Sequence, residues 1–125
     1  MGKGLYEQEG YDLMAAAFEV YNELGHGFLE DVYQESLERE LTCRSMPFSV
    51  KPSLMILYKG KPLQKTYFPD LIVCGGVVVE MKAVQQLARE HEAQLLNYLK
   101  ATGKRVGYLL NFGCSKGLEW KRMVL

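Results

Sequence analysis

Apolar residues recur at three- and four-residue steps from about Asp12, through Leu13, Met14, Ala17, Phe18, Tyr21 and Leu24, which is the period of an amphipathic helix. Gly25-His26-Gly27 interrupts the pattern. A glycine in a helix interior costs on the order of 1 kcal/mol against alanine, so a kink or a break belongs there. The period resumes over 28–41, with Leu29, Val32, Tyr33, Leu37 and Leu41 on one side and Glu30 in the first turn, where the helix dipole favours an acid. Residues 1–10, glycine-rich and polar, read as a loose lead-in.

The middle of the chain changes period. Residues 43–47 form a connection, and Pro47 and Pro52 keep the backbone out of helix. The apolar run 53–58 reads as a strand, Lys59-Gly60-Lys61-Pro62 as a turn, and 63–73 as a returning strand. Pro69 cannot donate a ladder hydrogen bond, so a bulge, bend or edge is expected beside Asp70. Residues 77–81 are apolar on both faces until Glu80, as in a strand covered on both sides. A second helical pattern runs from about Gln86 to about Thr102, with Gly103 as its cap and Leu87, His91, Gln94, Leu95 and Tyr98 along one face. Residues 105–112 form a further strand and 120–125 a short last one. The order is helix, three strands, helix, strand. Strands two and three make an antiparallel hairpin, and the helical crossover favours a parallel fourth, which gives an α/β class with a mixed central sheet.

The hairpin over 69–82 carries the candidate chemistry. With Cys74-Gly75-Gly76 as a three-residue loop, partners sum to 150 and Asp70 lies opposite Glu80. Directly opposed residues hold their Cβ atoms roughly 4.5–5.5 Å apart, and alternation puts Lys82 on the face of Glu80. Two carboxylates that close repel one another unless a positive charge lies between them. A divalent-cation site accounts for the pair better than a solvated strand end does.

Composition narrows the setting. The 125 residues, 48% hydrophobic and 24% charged, suit one globular domain over 1–125 with its own core. Formal net charge is 0, so no global basic field announces nucleic acid, and any such surface is a local patch. The 3 cysteines, Cys43, Cys74 and Cys114, form neither a metal-binding pair nor a disulfide framework, which points to a reducing cytoplasm. No apolar run approaches the roughly 18 residues of a membrane span.

Pro69-Asp70 followed by Glu80-Met81-Lys82 resembles the signature of the PD-(D/E)xK nuclease superfamily, and the order of elements is similar to its αβββαβ restriction-endonuclease-like core, a mixed sheet flanked by helices. Gln94 and Tyr98 resemble the Q-x-x-x-Y motif of its recombination-nuclease branch. Gly27, Glu30 and Tyr33 resemble the G-x-x-E-x-x-Y motif of the GxxExxY family within it. The resemblance spans about Asp12 to Arg122 and implies a Mg²⁺-dependent nuclease, with Mn²⁺ as a substitute, acting on DNA or RNA. It implies Asp70, Glu80, the Met81 carbonyl and Glu30 as metal ligands, and Lys82 as the group that orients or deprotonates the attacking water. Gln94 would position the metal shell or the substrate, and Tyr98 and Tyr33 would support them. Magnesium wants oxygen ligands and keeps several waters, so two or three carboxylates suffice.

Plainer roles compete at several positions. Tyr98 fits core packing, His91 a structural place on its helix and His26 an exposed loop. Lys59, Lys61, Lys65, Lys104 and Arg105 fit a solvated face as well as phosphate contacts. The rival to a nuclease is a nucleic-acid or protein binding module that keeps the fold without turnover. A homodimer with two sites facing two strands is a third arrangement to test.

Overall fold

The computed structural model describes residues 4–125. Helix α1 (Glu7–Leu24) begins five residues before Asp12, so the lead-in expected over 1–10 is already helical from Glu7. Gly10 explains the early start. It lies under the Tyr108 hydroxyl, where any Cβ would collide, so the glycine lets the first turns dock on the sheet. The break falls at Gly25-His26-Gly27 as the glycines require, with φ of +70° at Gly25 and +111° at Gly27. Helix α2 (Glu30–Cys43) follows. Leu13, Met14, Ala17, Tyr33, Leu37 and Leu41 are buried as expected, but Phe18, Leu29 and Val32 are exposed. Ala16 and Val20 take the inner face of α1 in place of Phe18, because the stripe is rotated toward the smaller side chains.

Strand β1 (Phe48–Val50) lies in what the pattern marks only as a connection and its aftermath between two prolines. Strands β2 (Leu54–Tyr58) and β3 (Lys61–Tyr67) pair antiparallel as a separate two-stranded sheet. The single strand expected over 63–73 is therefore two. β3 stops at Tyr67, the chain turns through Phe68-Pro69-Asp70, and β4 (Leu71–Val73) enters the main sheet. Pro69, which offers no ladder donor, is where the sheets part. β5 (Val77–Lys82) returns antiparallel to β4 in the expected register, Leu71 opposite Val79 and Val73 opposite Val77. Helix α3 (Arg89–Thr102) begins three residues after Gln86 and ends at Gly103, whose φ of +77° suits a glycine cap. It carries the chain to β6 (Val106–Asn111), parallel to β5, and β7 (Glu119–Val124) closes the edge. The five-stranded order is β1-β4-β5-β6-β7, a mixed sheet between helical layers.

Alternation sorts the two faces. Leu71, Val73, Val77, Val79 and Met81 pack with α1 and α2, and Ile72 and Val78 pack with Leu95 and Leu99 of α3. Glu80 and Lys82, in step with Val78, belong to the α3 face. Leu54 and Ile56 of the small sheet join that second core, which seats the hairpin against α3. Among the described residues no helix is long and apolar enough to cross a membrane.

Candidate active site

In an antiparallel pair, alternate residues of a strand turn both N–H and C=O toward the same neighbour. Residues 77, 79 and 81 therefore face β4. Two residues past the ladder, the same register sets Met81 against Pro69. A proline cannot supply the N–H that the Met81 carbonyl would accept, so the carbonyl is left at the end of the ladder without its donor. The Met81 N–H is taken instead by Asp70, whose Oδ2 accepts it at 2.7 Å. The proline thus does two things at once: it ends the ladder, and it bares a backbone oxygen beside two carboxylates.

Glu80 is gripped from both sides. Its Oε1 accepts the Asp70 N–H at 3.2 Å, and its Oε2 accepts the Tyr67 hydroxyl. The Tyr67 ring lies flat on that of Tyr98, centroids 4.0 Å apart and planes 4° from parallel. Tyr98 therefore supports the site through Tyr67. Burial is the largest influence on Glu80 and raises its carboxyl. The Tyr67 hydrogen bond lowers it and the Asp70 charge raises it again, and the group ends at about 7. Burial, followed by the charge of Glu80, likewise holds the Tyr67 phenol above its ordinary value, so it stays a donor.

The Asp70 backbone is fixed as firmly. Its carbonyl accepts Gln34 Nε2 at 3.0 Å and the Lys51 N–H at 3.1 Å. Gln34 is buried on α2, one turn from Glu30 and on the same side of the helix. Glu30 itself is exposed. No three His, Cys, Asp or Glu side chains converge as a metal cluster among the described residues, so Glu30 stands apart from the carboxylate pair. Tyr33 has a local task. Its hydroxyl donates to the Gly25 carbonyl at 2.6 Å and accepts the Phe28 N–H at 3.2 Å, and its ring stacks on Phe112 at 4.7 Å. It pins the turn that starts α2 and so sets where Glu30 and Gln34 stand.

Lys82 ends β5 half-buried, and its carbonyl accepts the Phe112 N–H at 2.9 Å. The ion pairs among the described residues are Arg39–Glu35 and Arg44–Glu40, so no carboxylate holds the Lys82 ammonium. The loop beyond it is clamped by Asn111, which is fully buried. Asn111 Oδ1 accepts from Val84 N at 2.9 Å and Gly113 N at 3.0 Å, and its Nδ2 donates to Glu119 at 3.0 Å. Glu119 also accepts the Leu87 N–H at 2.9 Å. A Cβ at Gly113 would collide with the Ala83–Val84 backbone, so this close passage needs glycine.

Other expected positions fall outside the pair. Gln94, expected along a core face, is exposed in a groove with Glu90, Ala93, Asn97 and Tyr98. Leu95 and Leu99 supply the buried stripe of α3, which leaves Gln94 one position off it. His91 accepts the Ala88 N–H at 3.0 Å through Nδ1 and closes the start of α3, a structural role. His26 is exposed in the turn between the helices, as expected. The sequence reading does not single out Tyr67, Gln34 or Asn111, whose partners lie 13, 36 and 27 positions away.

The oxygen set suits a hard divalent cation. Asp70 Oδ1 accepts from no N–H or O–H donor among the described residues, the Met81 carbonyl has no ladder donor, and burial first, then the neighbouring Asp70 carboxylate, hold Glu80 back from ionising. No soft ligand lies among them.

A family model described as the PD-(D/E)XK nuclease superfamily matches residues 7–123. No curated protein matches the chain. Among solved structures, one titled "Crystal structure of SSO0001" is similar at a TM-score of 0.58 and 20% identity, a likeness of fold. The match covers 95% of this chain and 60% of that one, so the chain spans less than two thirds of that protein's length.

Proposed function

Since the chain belongs to the PD-(D/E)XK nuclease superfamily, we propose that it is a divalent-metal-dependent nuclease, of the GxxExxY type, that hydrolyses phosphodiester bonds in DNA or RNA. The observation that carries the reading is the ladder end at Pro69. It brings Asp70, Glu80 and the orphaned Met81 carbonyl together, with Lys82 on the face of Glu80. Asp70, Glu80 and that carbonyl would hold the ion, Mg²⁺ or Mn²⁺. When bound, it supplies an acidified water and neutralises charge on the phosphoryl group.

The chain's own residues do the rest. Tyr67 fixes the Glu80 carboxylate, and Gln34 and the Lys51 N–H fix the Asp70 backbone. Lys82, with no carboxylate partner among the described residues, takes a proton from the attacking water as the neutral amine or offsets charge on the phosphate as the ammonium. Glu30, one turn from Gln34 on the same side of α2, would join through water once substrate and ion are present. Gln94 faces solvent one turn before Tyr98, where it can meet the substrate.

The test is purified full-length protein on single- and double-stranded DNA and RNA, with Mg²⁺, with Mn²⁺ and with chelator. Cleavage is expected with either ion and is expected to vanish with chelator. Cleavage that survives chelation, or none on any substrate with either ion, contradicts the reading.

A further inference from the structure

We propose that the β2–β3 hairpin is an arm that grips a single nucleic-acid strand beside the carboxylate pair, a proposal that rests on the nuclease reading for its substrate. The zero net charge hides a division. Residues 1–43 carry ten acidic side chains and two basic ones. Between Leu41 and Asp70 there is no acid at all, against five bases, Arg44, Lys51, Lys59, Lys61 and Lys65. The acidic stretch is mostly α1 and α2, which cover the Met81 face of the sheet. The basic stretch is mostly the hairpin, which packs on α3, and Glu80 and Lys82 lie on that side. A polyanion is thus repelled from one side of the sheet and drawn to the other.

The hairpin is built to present those charges. Its inner side chains Leu54 and Ile56 are half-buried in the α3 core, which keeps the arm in place. Its outer positions stay apolar and uncovered: Met55, Leu57, Tyr58 and Leu63 are all exposed. The register slips between the Met55–Thr66 and Leu57–Pro62 pairs, so 63–65 stand against one residue of β2, and Lys65 is exposed there. At the tip, Lys59 Nζ lies 5.5 Å from the Tyr58 ring centroid. At the root, Phe68 is 58% exposed, two residues before Asp70. Lys51 marks the other side of the root, because its N–H bonds the Asp70 carbonyl while its side chain is exposed. The arm runs straight into the site, through Tyr67 to Glu80.

Lysines alone would fit any polyanion. The exposed rings at tip and root decide for a strand with unpaired bases, since base faces stack on aromatic side chains and a duplex hides them.

The experiment is fluorescence anisotropy of the full chain with a short labelled oligonucleotide, in chelator so that nothing turns over. Lys59→Ala/Lys61→Ala/Lys65→Ala is expected to weaken single-strand binding on the order of 10- to 100-fold. It should also reduce the slope of log Kd against log salt by about 2, since each phosphate that a lysine neutralises contributes about 0.7. Arginine at the same three positions should restore both. Tyr58→Ala and Phe68→Ala should each cost on the order of tenfold on single strands and little on duplex. Wild-type affinity and slope in the triple-alanine variant overturn the arm, as does a preference for duplex, or competition by poly-glutamate as strong as by DNA. Cleavage with Mn²⁺ is measured in parallel. If it persists while the arm variants bind normally, the arm falls and the nuclease stands. If the arm variants lose binding while no protein cleaves, the arm stands and the nuclease falls.

Discussion

Asp70→Asn is expected to reduce metal-dependent cleavage by more than about 10²-fold, because losing even an outer hydrogen bond to a metal ligand commonly costs 10–100-fold. The asparagine amide oxygen can still accept the Met81 N–H that Asp70 Oδ2 now takes, so the strand end keeps its shape while one negative charge disappears. Lys82→Met separates binding from chemistry. The Lys82 ammonium has no carboxylate partner among the described residues, so its loss should leave ion affinity within a few-fold. The cleavage rate should still fall by about 10²–10⁴, the usual worth of a positioned proton acceptor. Single-turnover rates and ion titrations on the three proteins check both statements. A Lys82→Met protein that cleaves at the wild-type rate would remove lysine from the mechanism.

The second large effect is on stability. Without a divalent ion, wild-type stability should fall as pH rises from about 4.5 to 7. Glu80 ordinarily ionises near 4.5, and in the folded chain it holds its proton to about 7. Across that window the folded state binds more protons than the unfolded one, so the contribution is fully present below 4.5 and is lost as pH passes 7. The difference is on the order of 3 kcal/mol. Glu80→Gln removes it. Its amide oxygen can accept the Asp70 N–H, and its NH₂ can donate to the Tyr67 oxygen, which then accepts where it now donates. Urea unfolding in chelator should find the variant matched to wild type at pH 4 and more stable at pH 8. Mg²⁺ should then stabilise wild type more at pH 8 than at pH 5, because it binds the ionised form. Parallel pH profiles for the two proteins would mean that Glu80 is not held protonated. The site carries a charge conflict that a better-packed fold would not keep, as functional sites often do.

What could be read from the sequence follows from the range of the interactions. The register across Gly75-Gly76 is local, and a three-residue loop fixes which residues oppose which, so Asp70 and Glu80 are legible as a pair. The break at Gly25–Gly27 and the cap at Gly103 are also local, since positive φ singles out glycine. Strand β1 is hidden because three residues between two prolines carry no measurable period. The division of β3 from β4 is half legible: Pro69 marks a disruption, but no local signal says that the chain changes sheet there. Tyr67 escapes notice for that reason. As one residue in a long strand it would point to ordinary core, and the turn at Phe68-Pro69 is what swings its hydroxyl onto Glu80. Gln34 and Asn111 are polar residues whose partners lie on other elements, and only the packed fold shows that they clamp the Asp70 carbonyl and the loop after Lys82. The exposed Gln94 shows the opposite failure. A helical face counted by period alone puts it inward, and a rotation of the stripe by one position turns it to solvent.

The most direct test of the account is anomalous diffraction from crystals of the full chain grown with Mn²⁺. The layout at Pro69 predicts a single strong peak among Asp70, Glu80 and the Met81 carbonyl, absent in Asp70→Asn crystals. Crystals saturated with Mn²⁺ that show no peak there, or whose strongest peak lies elsewhere on the chain, would contradict it.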